Sequence, residues 1–340
     1  MKIAYLVPES EISGGQRVVF QQAEELARRG VTVTLVSPSP KPRWFPLEGA
    51  RWEQSDFRSS PALSEADVRI ATFWTTVSPA MDGARGPVFH LCQGYEADLT
   101  FYAHRRDEIR RAYALPTRKL AIAPHIEERL ESEGYRPVAF IGQAFNPDDF
   151  PRAQHRRFDV ESPAILIVGT YEADVKGIRE TLEALRAARA KGVAYRLHRI
   201  STAPPGEEEK ALGLAEEHRS GLLPREMSAA YQGSDLLIGP CHPEEGFGLP
   251  VLEALSSGLP VLLSDTPGHR HIAREAAAYF RCGDVSDLLG ALESVLPDSD
   301  RRRRLSEAGP LEAARFRTAD VVDRLLAEFD RASLRKTGSR

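Results

Sequence analysis

Residues 244–258 read Glu244-Glu245-Gly246-Phe247-Gly248-Leu249-Pro250-Val251-Leu252-Glu253-Ala254-Leu255-Ser256-Ser257-Gly258. Apolar, strand-like residues lead into this stretch (235–238) and leave it again (260–264), so it is the connection of a β–loop–α–β unit. Pro250 suits the first helical position, where a missing N–H costs nothing. Gly258 suits the left-handed residue that ends the helix. Gly246 and Gly248 leave the backbone uncovered just before it, and a helix N-terminus with free amides attracts anions. Carboxylates nevertheless stand on both sides, Glu245 before the helix and Glu253 in its first turn. Carboxylates accept hydrogen bonds from hydroxyls and do not bind phosphate. An anion site beside hydroxyl acceptors describes a sugar nucleotide.

The same strand–loop–helix rhythm extends in both directions. Residues 2–7 form a continuous apolar run, as a buried parallel strand should. Ser13-Gly14-Gly15 follows, then residues 16–29 with Val18, Val19, Ala23, Leu26 and Ala27 at helical spacing, and a strand at 31–37. Residues 38–66 are less regular. Further strands are expected at 67–73, 87–92, 120–123 and 138–141. Gly142–Pro151 has turn chemistry without periodicity, which marks a boundary. A second α/β half begins with a strand at 164–168, a loop to Gly177 and a helix at 178–191. Strands at 195–200 and 235–238, and short ones at 260–264 and 279–280, follow with helices at 224–232, 287–296 and 301–314. A long amphipathic helix is expected from residue 318 to 334. The fold class is therefore α/β, with two Rossmann-like domains of about 150 residues each. The divisions are 1–148, 149–315 and a C-terminal segment, 316–340. Ligands in such sheets lie at the carboxyl ends of the strands.

The bulk properties exclude several classes. A net charge of −4 leaves no global basic field for nucleic acid. Three cysteines, Cys92, Cys241 and Cys282, are far apart and form no CxxC pair, so neither a disulfide framework nor a zinc site is indicated. That suits a reducing, cytoplasmic compartment. No apolar run reaches the ~18 residues of a membrane span, and residues 1–9 lack the apolar core of a signal peptide. Residues 101–119 interleave basic side chains with Phe101, Tyr102, Ile109 and Tyr113; they offer a peripheral contact to an anionic membrane surface or acceptor, or else a solvated helix face balanced by Asp107 and Glu108.

Other positions carry candidate chemistry. Gly14-Gly15 opens a helix after a strand, where backbone amides could meet a diphosphate or a tight turn could need glycine. There is no GxGxxG, and no acid ends the second strand, which disfavours a dinucleotide. Lys176 is the only lysine between Lys119 and Lys191 and sits in a strand-end loop. Trp74 follows a strand, as a sugar-stacking ring or a core residue. His90 reads as a packed histidine.

Taken together, the two spaced glutamates, the Gly-Phe-Gly-Leu-Pro between them and the Ala254-Leu255-Ser256-Ser257-Gly258-Leu259-Pro260-Val261 that follows resemble the signature of retaining glycosyltransferases of the GT-B fold, family 4 (glycosyltransferase group 1). The resemblance also takes in Gly14-Gly15, the Asn146-Pro147-Asp148-Asp149-Phe150 linker, Lys176-Gly177 and the C-terminal helix. Around Gln93-Gly94-Tyr95-Glu96 it looks similar to rhamnosyltransferase-like members. It implies two facing Rossmann-like domains, an N-terminal acceptor side and a C-terminal donor side, with the last helix crossing back onto the first.

The resemblance further implies a hexosyl- or deoxyhexosyltransferase of cell-envelope polysaccharide synthesis, using a nucleotide-diphosphate sugar such as a UDP sugar, with no cofactor and no metal. The acceptor would be a glycan, a lipid-linked sugar or a small molecule, and the enzyme would work in the cytoplasm or at the inner face of the membrane. Glu253 would accept the ribose hydroxyls. Glu245 would hold the donor sugar and stabilise positive charge at the anomeric carbon. Gly246, Phe247, Gly248 and Leu249 would offer backbone to sugar and phosphate, and Lys176 with Gly14 and Gly15 would meet the diphosphate. Gln93, Glu96 and Trp74 would face the acceptor or sugar. The family often has an Arg just after the strand glycine; here Thr170 follows Gly169, leaving a second cation to be found. Where relatives carry a His, Gln93 stands, which can orient a hydroxyl but not exchange a proton. His271 stands where a Glu is common, in a segment (265–271) expected to be a loop.

Two other readings share some of these residues. A nucleotide-sugar epimerase or a non-catalytic sugar-nucleotide-binding subunit on this fold would keep the glutamates. A glycoside hydrolase uses two carboxylates about 5–10 Å apart, but gives Lys176 and Gly14-Gly15 no purpose.

Overall fold

The computed structural model describes residues 1–337. Its chain divides into two units, Met1–Phe145 together with the chain from Phe316, and Asn146–Arg315. Each is built on one fully parallel sheet.

Unit 1 has seven strands: β1 (Lys2–Leu6), β2 (Thr32–Ser37), β3 (Arg51–Gln54), β4 (Val68–Ala71), β5 (Val88–Cys92), β6 (Arg118–Ala121) and β7 (Val138–Phe140), in the order β3-β2-β1-β4-β5-β6-β7. Helices α1 (Gly14–Arg28), α2 (Pro61–Glu65), α3 (Trp74–Met81), α4 (Arg106–Ala114) and α5 (Pro124–Ser132) connect them. Ile3, Ala4, Tyr5 and Leu6 are all buried, because a parallel sheet has helices on both faces and its central strands see no water. The strand order reverses at β1, whose neighbours are β2 and β4. Leu6 lies level with Val36 and with Ala71, so the strands around this switch point end together and their loops emerge on one edge.

Unit 2 repeats the plan with six strands: β8 (Ala164–Val168), β9 (Arg196–Ser201), β10 (Glu217–Ser220), β11 (Leu236–Gly239), β12 (Val261–Ser264) and β13 (Ala278–Phe280), ordered β10-β9-β8-β11-β12-β13. Its helices are α6 (Ile178–Ala190), α7 (Glu207–Ala211), α8 (Pro224–Gln232), α9 (Leu249–Ser256), α10 (Pro267–Ala273), α11 (Val285–Val295) and α12 (Ser299–Ala313). The order reverses at β8, between β9 and β11. Ile165, Ile167, Leu197, Leu236, Ile238 and Leu262 pack against Ile178, Leu182 and Leu185 of α6 to form the core.

Several expectations need correction. Residues 38–66 hold β3 and α2, and residues 207–220 hold α7 and β10, none of which was expected. β3 (Arg-Trp-Glu-Gln) and β10 (Glu-His-Arg-Ser) are sheet edges, and an edge strand needs no apolar run. The segment expected as a loop at 265–271 turns into α10, because the Thr266 hydroxyl caps it by accepting from the His269 amide. α1 begins at Gly14, not Gln16, with Ser13 as its cap. In α9 the cap is Gly248, so Pro250 is the second helical residue and Glu253 falls in the second turn rather than the first.

The last helix, α13 (Thr318–Thr337), belongs to unit 1. Phe329 is fully buried, with its ring 5.0 Å from that of Phe89 on β5. The Arg324 guanidinium donates to the Ile141 carbonyl (2.9 Å), that of Arg29 to the Ala319 carbonyl (2.8 Å), and Arg118 pairs with Glu328 at 3.0 Å. Residues 338–340 of the expected segment 316–340 lie outside the described residues.

All three tryptophans, Trp44, Trp52 and Trp74, are in unit 1, so their fluorescence reports on it alone. Truncating a fully buried Phe removes its transfer energy and leaves a cavity. Phe329→Ala should lower the stability of unit 1 by about 3–5 kcal/mol, read from the urea midpoint of tryptophan fluorescence.

Candidate active site

In unit 2, Gly248 caps α9 at φ +95°, a left-handed conformation that side chains resist. A Cβ there would also meet His269 Nε2 at 3.4 Å. Gly258 ends the segment at φ +66°, as its position requires. Phe247 is buried and faces the His271 ring (6.5 Å between centroids), while Gly246 and Leu249 stay partly exposed. Glu253 is almost fully buried and accepts a 2.7 Å hydrogen bond from the Tyr231 hydroxyl of α8.

Lys176 closes a short 3-10 turn after β8 and is followed by Gly177 at φ +59°. Its methylenes lie against Gly169, where a Cβ would touch Lys176 Cβ and Cδ at 3.7 and 3.6 Å. Its Nζ reaches Glu245 Oε1 at 2.6 Å, with both side chains partly exposed. The backbone fixes this pairing: the His242 amide donates to the Val175 carbonyl (2.8 Å), and the Glu245 amide to the His242 carbonyl (3.1 Å). The loops after β8 and β11, separated by almost seventy residues, are thereby stitched together.

No second cation stands at Thr170, whose hydroxyl lies 3.3 Å from that of Thr202. The nearby Arg199 is fully buried on β9, bonded to Glu209 Oε1 (2.7 Å) and to the carbonyls of Ile167 (3.0 Å) and Gly169 (2.9 Å). Its charge is satisfied inside the fold, where it holds the strand end under Lys176. Cys241 is buried too, and burial pushes its thiol up to about 11, so it is a packing residue rather than a nucleophile. Among the described residues no group of three or more His, Cys, Asp or Glu could hold a metal.

In unit 1, Gly14 and Gly15 are the first two residues of α1, and Ser13 Oγ accepts from the Gln16 amide. Gln93, at the end of β5, donates through Nε2 to the Gly15 carbonyl (3.2 Å); a Cβ at residue 15 would crowd that nitrogen at 3.3 Å. The structure thus joins the glycine pair to Gln93. Glu96 follows in a 3-10 turn and accepts a 2.6 Å hydrogen bond from the Tyr113 hydroxyl, which also reaches the Gly94 carbonyl. Burial raises the Glu96 carboxyl to about 7, so it is no ordinary surface glutamate. His90 is fully buried with its ring 4.5 Å from Tyr113, and burial lowers it to about 3, so it is packed and neutral. Trp74 opens α3, mostly buried, with the Arg105 guanidinium 4.5 Å above its ring.

Residues 101–119 divide between core and surface: Arg106, Arg110 and Arg111 of α4 are exposed. Ile109 and Tyr113 are core, Arg105 pairs with Glu108, and Arg118 pairs with Glu328. Lys119 is buried on β6, bonded to the carbonyls of Leu115 and Thr117. Of the large apolar side chains here, Phe101 is exposed, by 52%. No local pattern singles out Tyr231, Tyr113, Arg199 or His269 as supports of the site. Each supports a site residue from another element, and only pairing in space reveals it.

A carboxyl raised in the folded chain is disfavoured once ionised. The stability tied to Glu96 is full below about 4.5 and is lost as pH rises through about 7. Glu96→Gln should therefore flatten the fall in melting temperature of unit 1 between those values, read by tryptophan fluorescence at each pH; an unchanged slope would show that Glu96 titrates normally.

Comparison with known proteins supplies a context for this geometry. Residues 151–312 match the family model described as "Glycosyl transferases group 1". Sulfoquinovosyl transferase SQD2 of Arabidopsis thaliana is 30% identical over 186 residues, which are 51% of this chain and 35% of that protein. D-inositol 3-phosphate glycosyltransferase of Nocardia farcinica (strain IFM 10152) is 33% identical over 119 residues, 34% of this chain and 26% of that protein. The chain thus spans only 35% and 26% of the length of these curated relatives. The fold is that of Anabaena HepE, solved in complex with UDP-glucose, at a TM-score of 0.77 and 15% identity over 97% of this chain and 99% of that one.

Proposed function

We infer from residues 151–312, which match the glycosyl transferases group 1 family model, that this chain moves a sugar from a nucleotide-diphosphate sugar to an acceptor hydroxyl, with retention at the anomeric carbon. The observation that carries the reading is the Lys176–Glu245 pair at 2.6 Å, beside the glycine-capped start of α9. A cation for departing phosphate and a carboxylate for sugar hydroxyls lie in contact at the strand-end edge of one sheet, where such sheets take ligands.

Unit 2 is the donor side. Glu253, oriented by Tyr231, accepts the ribose hydroxyls. Glu245 holds the sugar and stabilises the positive charge that grows at its anomeric carbon. Gly246, Phe247, Gly248 and Leu249 offer backbone, with the first amides of α9 favouring an anion. Lys176 turns from Glu245 to the diphosphate as that group takes up charge on leaving. Such preorganised electrostatics, with positioning, supplies the acceleration. The leaving phosphate takes the acceptor's proton, so no acid–base side chain and no metal or other cofactor is required. Unit 1 is the acceptor side, through Gln93, Glu96 and Trp74, and its Gly14 and Gly15 present the first amides of α1 to phosphate. Cytoplasmic work, with at most a peripheral membrane contact at Phe101, belongs to the same reading, as does a role in cell-envelope polysaccharide synthesis. Among the described residues no helix is long and apolar enough to cross a membrane.

Ligand binding stabilises a native chain by RT ln(1 + [L]/Kd), about 2.7 kcal/mol at a hundredfold excess over Kd. A thermal-shift screen over UDP, GDP, dTDP and ADP sugars should find at least one that raises the transition of unit 2; a flat response to all four contradicts the reading. With the donor so identified, Glu245→Gln should reduce transfer by about 10²–10³-fold while leaving nucleotide affinity nearly unchanged, whereas Lys176→Met should reduce transfer by a similar factor and also weaken binding of the free nucleoside diphosphate. Equal loss of transfer and nucleotide affinity in Glu245→Gln would reassign Glu245 to structure.

A further inference from the structure

Residues 151–158 carry Arg152, His155, Arg156 and Arg157 and no acid. They reach the amino edge of the unit 2 sheet, the edge opposite Lys176 and Glu245. There the Arg156 guanidinium donates to the carbonyls of Tyr231 (3.1 Å) and Ser234, just ahead of β11. Asp235 accepts the Ala164 amide (2.7 Å) at the start of β8. Beside them is a cavity of about 520 Å³, lined by Arg152, Ala153, Gln154, Arg156, Phe158 and Ser306. Its size is that of a small-molecule site, and no carboxylate lines it.

Helix ends do not account for both cations. The last carbonyls of a helix favour a cation, and Arg156 serves α8 in that way. At the end of α9 the corresponding places are filled by other groups. The Ser257 carbonyl accepts from the Ala153 amide (3.1 Å), and the Gly258 carbonyl from the Ser306 hydroxyl (2.6 Å). Arg152 lies against Gly258, where a Cβ would meet its Cγ at 3.1 Å and its Nε at 3.4 Å. Among the described residues its guanidinium makes no hydrogen bond and no ion pair. The neighbouring acids are engaged elsewhere or lie outside the cavity: Asp159 pairs with Arg157 (3.5 Å), Asp300 with Arg303 (3.3 Å), and Glu307 is exposed beyond the lining. Burial lowers Arg156 to about 10; Asp235 opposes that shift, and the like charge of Arg152 adds to it. Two guanidiniums thus line one cavity, close enough to repel, with no anion of the fold between them.

We propose that this cavity is a binding site for a phosphate-class oxyanion, held between the forked donors of Arg152 and Arg156. Guanidinium N–H groups match phosphate oxygens two at a time, and an anion between the two charges relieves their repulsion. Arg156 is already fixed by its carbonyls, so little order is lost on that side when the anion binds. The site shares no residue with the candidate active site and stands independently of the glycosyl-transfer reading. A soluble phosphate and a phospholipid headgroup both present this chemistry.

The test is calorimetric titration of the full chain with inorganic phosphate and with pyrophosphate, each repeated in Lys176→Met so that binding at the candidate active site is weakened. In both chains at least one of the two anions should bind with a Kd below about 1 mM. Arg152→Gln should weaken that binding about tenfold, since it removes a charged donor, and should leave the melting temperature of the free chain unchanged, since Arg152 has no bond within the fold to lose. Arg157→Gln, at an exposed arginine paired with Asp159, should leave the binding as it was. No binding in that range, binding indifferent to Arg152→Gln, or equal loss in Arg152→Gln and Arg157→Gln overturns the proposal; the last result would make these arginines a diffuse basic surface. Once binding is established, flotation with vesicles of phosphatidylcholine and phosphatidylglycerol in equal parts, against phosphatidylcholine alone, separates the two sources. Flotation that is lost in Arg152→Gln assigns the anion to a lipid headgroup, and flotation that is absent or indifferent to Arg152 assigns it to solution.

Discussion

A parallel strand pair cannot be closed by a hairpin. Each connection has to cross back along a face of the sheet, so helices cover both faces and the central strands lose all contact with water. From that constraint most of this molecule follows. It explains why Ile3–Leu6 and Ile165–Ile167 read as unbroken apolar runs, and why β3 and β10, at the edges, need none. It also sends every loop that follows a strand to the same edge. Lys176 follows β8 and Glu245 follows β11, the two strands that adjoin where the order reverses, and they meet for that reason. Gln93 and Gly15 meet in unit 1 by the same logic. Residues distant in sequence become neighbours because the sheet admits no other exit for its loops.

The hydrophobic rhythm was enough to find nearly all buried strands and the helices that cover them, since burial on both faces leaves a strong imprint on composition. It could not find β3 or β10, which owe their existence to a neighbour's backbone rather than to apolar side chains. The segment at 265–271 misled for a different reason: Asp-Thr-Pro-Gly looks like a turn, yet Thr266 and Pro267 are equally good as the cap and first residue of α10. At the site, glycine positions were legible because φ > 0 restricts the residue that can stand there. The supporting side chains were not. Nothing local to Tyr231 or Tyr113 announces a carboxylate partner seventeen or more residues away, and a buried arginine such as Arg199 has no sequence marker distinct from the many exposed ones.

The arrangement of charge in unit 2 is economical. The lysine and the glutamate neutralise each other, while Arg199 is confined beneath the strand end by Glu209 and two carbonyls. An exposed cation is thereby matched before any ligand arrives, and a buried one is kept from competing for it. The backbone bonds between the two loops hold the pair in place without freezing the side chains, which remain partly exposed and able to re-aim.

Helix α13 has a consequence for the way the molecule comes into being. A chain emerging from the ribosome presents Met1–Phe145 first, but Phe89 and the Ile141 carbonyl then lack Phe329 and Arg324, which arrive only after the whole of Asn146–Arg315 has been made. Unit 2 is contiguous and can close on itself as soon as it is synthesised. The portion made first is therefore the last to be finished, and until translation reaches α13 the Phe89 ring lacks its Phe329 partner. Order of synthesis and order of completion run in opposite directions, and the interval between them is when this chain is most vulnerable to association with its own copies.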